Sequence, residues 1–154
     1  MGTTVYLRDG MGGAGSTFTV ASGQTVRLGR ILEFTADETV REGQADSAVV
    51  AGVATATQAR SLFQSDGATA RADNTVYAGE KVAVSQYGIF RTPTDGSSTL
   101  TYGQPVKVGT AGVPVLWVTG VDAADLKVGR LLKEPYDVTV GGTSTEFVDI
   151  ALYL

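Results

Sequence analysis

The sequence predicts a mainly β protein: a small β-barrel or β-sandwich with Gly-rich turns, one short helix and an extended N-terminal arm. Three observations predict it. From Gln24 onward Val, Thr, Ile, Tyr and Phe alternate with polar residues, the pattern of strands with one buried face. The 154 residues include 20 glycines and are only 18% charged, a composition suited to short strands joined by tight turns. Glycines also stand inside apolar runs, as in Ala51-Gly52-Val53-Ala54 and Tyr87-Gly88-Ile89-Phe90. There a strand can bend sharply or admit a second backbone, as closing a small barrel requires.

The length fits one core, and the chain divides into an arm, residues 1–23, and a single domain, residues 24–154. In the arm, strand-like Thr3–Arg8 runs into Asp9–Gly15, where Gly10, Gly12, Gly13 and Gly15 surround Met11, its one large apolar residue. Such a loop buries too little surface to offset its backbone entropy, so a partner is needed to order it. Fully extended, a 20-residue arm reaches roughly 65 Å at about 3.3 Å per residue. Val5, Tyr6, Leu7 and Arg8 are therefore candidate contact residues, able to add a strand to the edge of an adjacent subunit.

Predicted strands follow at Ser16–Ala21, Thr25–Glu33, Ala48–Ala56, Glu80–Arg91, Thr99–Val108, Val113–Thr119, Lys127–Leu132 and Thr145–Leu154. Asp66-Gly67, Asp95-Gly96, Ala111-Gly112 and Gly141-Gly142 supply turn chemistry between them. Asp122–Leu126 reads as one helical turn, with Asp122 as cap and Asp125 at capping-box spacing. Gln58–Gln64 reads as a further turn or a loop. In the last strand Val148, Ile150, Leu152 and Leu154 share one face, which the fold should bury. Leu28-Gly29-Arg30-Ile31-Leu32-Glu33 and Val128-Gly129-Arg130-Leu131-Leu132-Lys133 form a weak internal repeat.

The same composition narrows function. There is no cysteine and no histidine, which removes disulfides, thiol nucleophiles, the usual zinc sites and the commonest general base. A net charge of -4 lacks the electrostatic term that draws proteins onto nucleic acid. No membrane partner is expected: Met1–Arg8 has no signal-peptide pattern, and the longest apolar runs, Ala48–Ala54 and Val113–Val118, fall far short of a bilayer span. Gly10, Gly12 and Gly15 match G-x-G-x-x-G in form, but Ser16–Val20 continues as a strand, not as the helix a phosphate site needs.

Asp37, Glu38, Glu42 and Asp46 occupy a polar stretch, Thr35–Asp46, without calcium-loop spacing, and read as a solvated acidic loop. Among the serines and threonines none has a recognisable activating partner. The expectation is a protein that is not an enzyme, with no cofactor and no metal. Trp117 lies in the apolar run Pro114–Val118. Exposed, it would be a partner or sugar contact; the commoner reading of such a run is core.

The order of motifs carries more. Ala48–Ala54, then Ala78–Val84 with Gly88-Ile89-Phe90, then Gly103–Val108, then Val128–Leu132, and finally Val148–Leu152 together resemble the small capsid decoration proteins of tailed phages. The resemblance runs from about Val26 to the end and leaves the arm unmatched. It implies a non-enzymatic, mainly β homotrimer on the outer surface of a phage capsid, where it cements neighbouring subunits of the major capsid protein against internal pressure. Two other readings stay open: a tail-tube or head-completion virion protein, and a carbohydrate-binding β module that would expose Trp117 or Tyr87 on a groove.

Overall fold

The computed structural model describes residues 16–57, 74–96 and 99–154. Among them are thirteen strands: β1 (Ser16–Val20), β2 (Thr25–Arg27), β3 (Ile31–Ala36), β4 (Thr39–Glu42), β5 (Val50–Thr57), β6 (Thr75–Tyr77), β7 (Lys81–Ser85), β8 (Tyr87–Pro93), β9 (Pro105–Val108), β10 (Pro114–Leu116), β11 (Gly129–Leu131), β12 (Tyr136–Val140) and β13 (Thr143–Tyr153). Helical structure in these residues is limited to two 3₁₀ turns, Thr110–Gly112 and Ala124–Leu126. The protein is mainly β, as its alternation predicts.

β1, β4, β3, β5 and β7 close a barrel, in which β1 runs antiparallel to β7 and parallel to β4. Its interior is filled by Val20, Leu32, Val40, Ala51, Val82 and Val84. The ribbon of β2 and β6 sets Val26 against Val76, both fully buried in this core. Arg27 ties that ribbon to β4, its Nε and Nη2 each donating at 2.8 Å to the Glu42 carboxylate.

The second sheet runs β10-β9-β11-β13, with β12 and β8 also on β13. Its core joins Phe90, Leu100, Val106, Leu131, Val148, Ile150 and Leu152 to Ile31 and Val53 of the barrel wall. β3 and β5 thus turn one face into the barrel and the other onto the second sheet, and period-2 alternation lets one strand serve two cores.

Close backbone approach needs glycine where strands cross. A Cβ on Gly52, whose φ is +138°, would overlap the Ser85 carbonyl oxygen, and one on Gly129 would overlap that of Ala151. Both sites meet the expectation for glycine inside a strand.

Several elements differ from their predicted forms. Ser16–Val20 is the strand predicted at Ser16–Ala21, but it lies in the barrel with Val20 in the core, inside the segment read as the arm. Thr25–Glu33 is not one strand: a turn closed by Arg30 N–H donating to Arg27 O at 3.3 Å divides it. The same turn recurs at Ala21–Gln24, Tyr77–Glu80 and Thr101–Gln104, each with glycine third and in the left-handed region, which is type II geometry. The real structural repeat is this turn. Gly29 lies in it whereas Gly129 lies inside β11, so the repeat read at Leu28 and Val128 is not one in the fold.

Glu80–Arg91 breaks at Gln86 into β7 of the barrel and β8 of the second sheet. Thr35–Asp46 contains β4 and is not a solvated loop, since Val40 is buried and Glu42 is paired. Leu154, predicted buried, is exposed beyond the end of β13. Gln58–Gln64 and Asp66-Gly67 lie outside the described residues.

Candidate functional site

Val5, Tyr6, Leu7 and Arg8 also lie outside the described residues. Trp117 does not join the core as the commoner reading of its run has it, because β10 ends at Leu116 and the indole emerges half-buried on the surface. Its Nε1 donates to the Ala123 carbonyl at 2.8 Å, and Lys127 Nζ stands 4.2 Å from the ring centroid. Lys127 thereby occupies part of the indole that a sugar would stack on.

The loop from Trp117 to Lys127 is held from below by Asp122. One carboxylate oxygen accepts Lys107 Nζ at 2.6 Å and the other accepts the Val118 N–H at 2.7 Å. Asp122 therefore does not cap the following 3₁₀ turn, whose N-cap is Ala123 without a side-chain bond. Lys107 also reaches Asp46 at 2.7 Å. Hydrogen bonds from Lys107 and then Val118 hold the Asp122 carboxyl below the usual carboxylate range, while bonds to Asp122 and Asp46 raise the Lys107 ammonium. The loop so fixed exposes Val118 and Val121, the latter 79% accessible. Asp125 is exposed beside them.

A second apolar surface lies at the other side of the sheet. On β13, Leu132 N–H donates to Asp149 O and Tyr153 N–H to Val128 O, whereas Thr94 N–H, just past β8, donates to Glu146 O. Backbone groups alternate sides along a strand, so β11 and β12 share one edge of β13 and β8 holds the other. Among the described residues β8 is paired only with β13, and β10 only with β9. β12 likewise pairs only with β13, so β8, β10 and β12 each leave an edge of the sheet open.

Phe90 of β8 points inward, so Tyr87, Ile89 and Arg91 point out, next to Tyr153, Ala151 and Asp149 of β13 and Arg130 of β11. Ile89 is 67% exposed, and Tyr87, Tyr153 and Leu154 are each nearly half exposed. Arg91 lies 3.9 Å from Asp149, which accepts the Tyr136 hydroxyl at 2.7 Å. Burial and the bond to Asp149 push the Tyr136 hydroxyl pKa up.

The remaining buried charge is Glu33, whose oxygens accept Arg41 Nε at 2.7 Å and the Gln44 N–H at 3.1 Å. Both oxygens serve the fold. No group of three His, Cys, Asp or Glu among the described residues is placed to hold a metal ion. Sequence reasoning named Trp117 and Tyr87 as aromatic residues that a binding module would expose, but not Ile89 or the β8 face they belong to.

No protein-family model matches the chain, and no curated protein does. Among solved structures it is similar to the N base of the head fiber protein gp8.5 of bacteriophage phi29, with a TM-score of 0.50 and 14% sequence identity over 89% of this chain and 92% of that one. What the two share is the fold, along nearly the whole of both chains.

Proposed function

We propose that this chain is a structural protein of a phage head, a homotrimer that binds the outer surface of the shell and cements neighbouring major capsid subunits. The observation that carries the reading is the likeness in fold to a head fiber base, which agrees with the order of decoration-protein motifs from Val26 onward. The mechanism needs no catalysis: whatever binds only the assembled shell stabilises it by mass action. Residues Thr3–Arg8 add contact area by ordering on a neighbouring subunit, at a cost in entropy.

The test is the solution mass of the full chain by light scattering, followed by co-sedimentation with expanded and with immature heads. A mass of three chains and binding to expanded heads alone supports the proposal. A monomer that ignores heads, or six-fold rings without head binding, overturns it. Deleting Met1–Gly15 should weaken head binding and leave the core folded; unchanged binding would remove the arm from the mechanism.

A further inference from the structure

We infer that copies of this chain join head to tail, the β8 face around Tyr87 and Ile89 of one copy receiving the Val118–Asp125 loop of the next. The inference rests on the reading of the chain as a closed homotrimer and names the two surfaces that would close it. A ring about a threefold axis is heterologous, so each copy must offer two different patches that complement one another. The described residues carry such a pair.

The first patch is apolar and cationic. Tyr87, Ile89, Tyr153 and Leu154 together expose on the order of 400 Å² of surface, the size of the largest apolar patch on a typical monomer, which is often functional. Arg91 and Arg130 flank it, Arg91 lying 3.9 Å from Asp149, which Tyr136 also engages. An open strand edge bearing exposed aromatic and branched residues is a surface that folded proteins otherwise shield. Nothing among the described residues shields β8.

The second patch is apolar and acidic. Val118 and Val121 project beside Asp125, and beneath them the single ammonium of Lys107 is shared by two carboxylates, Asp46 and Asp122. Its shape is fixed before any contact by the Asp122 and Trp117 bonds, which lowers the entropy lost on docking.

The two patches differ in sign of charge and match in apolar character. β8 and β10 stand at opposite ends of the order β10-β9-β11-β13-β8, four strand spacings or about 19 Å apart, and the loop leaves β10 and returns to β11, where Val128 O accepts the Tyr153 N–H.

The experiment uses the full chain with Ile89→Glu on one patch and Val121→Glu on the other, both solvent-exposed positions. Light scattering should show the unmodified chain at three chains and each variant alone at one. Mixed in equal amounts, the variants retain one intact contact between them and should give a mass of two chains. Far-UV circular dichroism and a cooperative melt establish that each variant folds; if either does not, Tyr87→Thr and Val118→Thr replace them. Variants that remain trimeric, or a mixture without heterodimer, overturn the inference and leave the homotrimer standing. An unmodified chain that is monomeric removes the homotrimer as well.

Discussion

Ile31 and Leu32 are neighbours in β3, yet their side chains belong to different cores: Ile31 packs with the second sheet and Leu32 inside the barrel, each fully buried. One strand therefore couples the two halves. Leu32→Ala should cost about 2–5 kcal/mol, the range for truncating a buried leucine. The loss should be felt beyond the barrel. Trp117, the single tryptophan, sits at the second sheet, so its fluorescence and the far-UV signal should unfold together in denaturant, in the parent and in Leu32→Ala alike. Two separated transitions would show that β3 does not couple the cores.

Gly52 and Gly79 both have positive φ, +138° and +81°, but only Gly52 is crowded, its missing Cβ lying over the Ser85 carbonyl. At Gly79 a Cβ would meet open space, so Gly79→Ala should cost only the backbone strain, roughly 1–2 kcal/mol. Gly52→Ala adds overpacking of roughly 1–3 kcal/mol to that strain, and must move β5 away from β7. Chemical denaturation of the two variants measures the difference directly. Equal losses would mean that the contact between β5 and β7 yields without cost.

Glu33 gives the barrel a pH dependence. Burial alone would raise its pKa, but hydrogen bonds from Ser47, the Gln44 N–H and Arg41 outweigh it and hold the carboxyl below the ordinary glutamate value of 4.5. With the folded value depressed, the stabilisation is fully present above the unfolded value and is lost as pH falls through the folded one. Glu33→Gln should therefore cost about 1–3 kcal/mol near neutrality, the range for bonds to a charged acceptor. It should also flatten the fall in stability below 4.5. Melting curves of the two proteins that stay parallel into acid would assign that fall to other carboxylates.

The parts of the fold legible in the sequence are those governed by neighbours along the chain. Alternation around Val148, Ile150 and Leu152 marks β13, and Gly141-Gly142 marks its hairpin. The parts that were not legible depend on distant partners. β4 has one buried residue, Val40, and its polar members are held by Arg27 and Glu33 from elsewhere in the chain. Trp117 reads as core because its apolar run continues past the last paired residue of β10, and no local pattern shows where a partner strand ends. The β8 face was hidden for a similar reason, since Gln86 carries the chain from barrel to sheet inside what looks like one strand.

Asp122 offers the sharpest separation of local structure from partner contact. Its two oxygens tie the Val118 N–H and Lys107 Nζ to one point, and Trp117 is bonded to Ala123 in the very next position. Asp122→Ala frees the Val118 N–H and leaves Lys107 with Asp46 alone, so the loop should loosen and the Trp117 emission should move to longer wavelength. Asp122→Asn keeps an oxygen for the Val118 N–H but loses the charge that holds Lys107, and should shift the emission less. Both substitutions leave the two cores intact, so the far-UV spectrum should not change. If the loop's fixed shape is what a neighbouring copy recognises, trimer mass should fall in the same order, Asp122→Ala before Asp122→Asn. A loosened loop with undiminished trimer would place the contact elsewhere on the molecule.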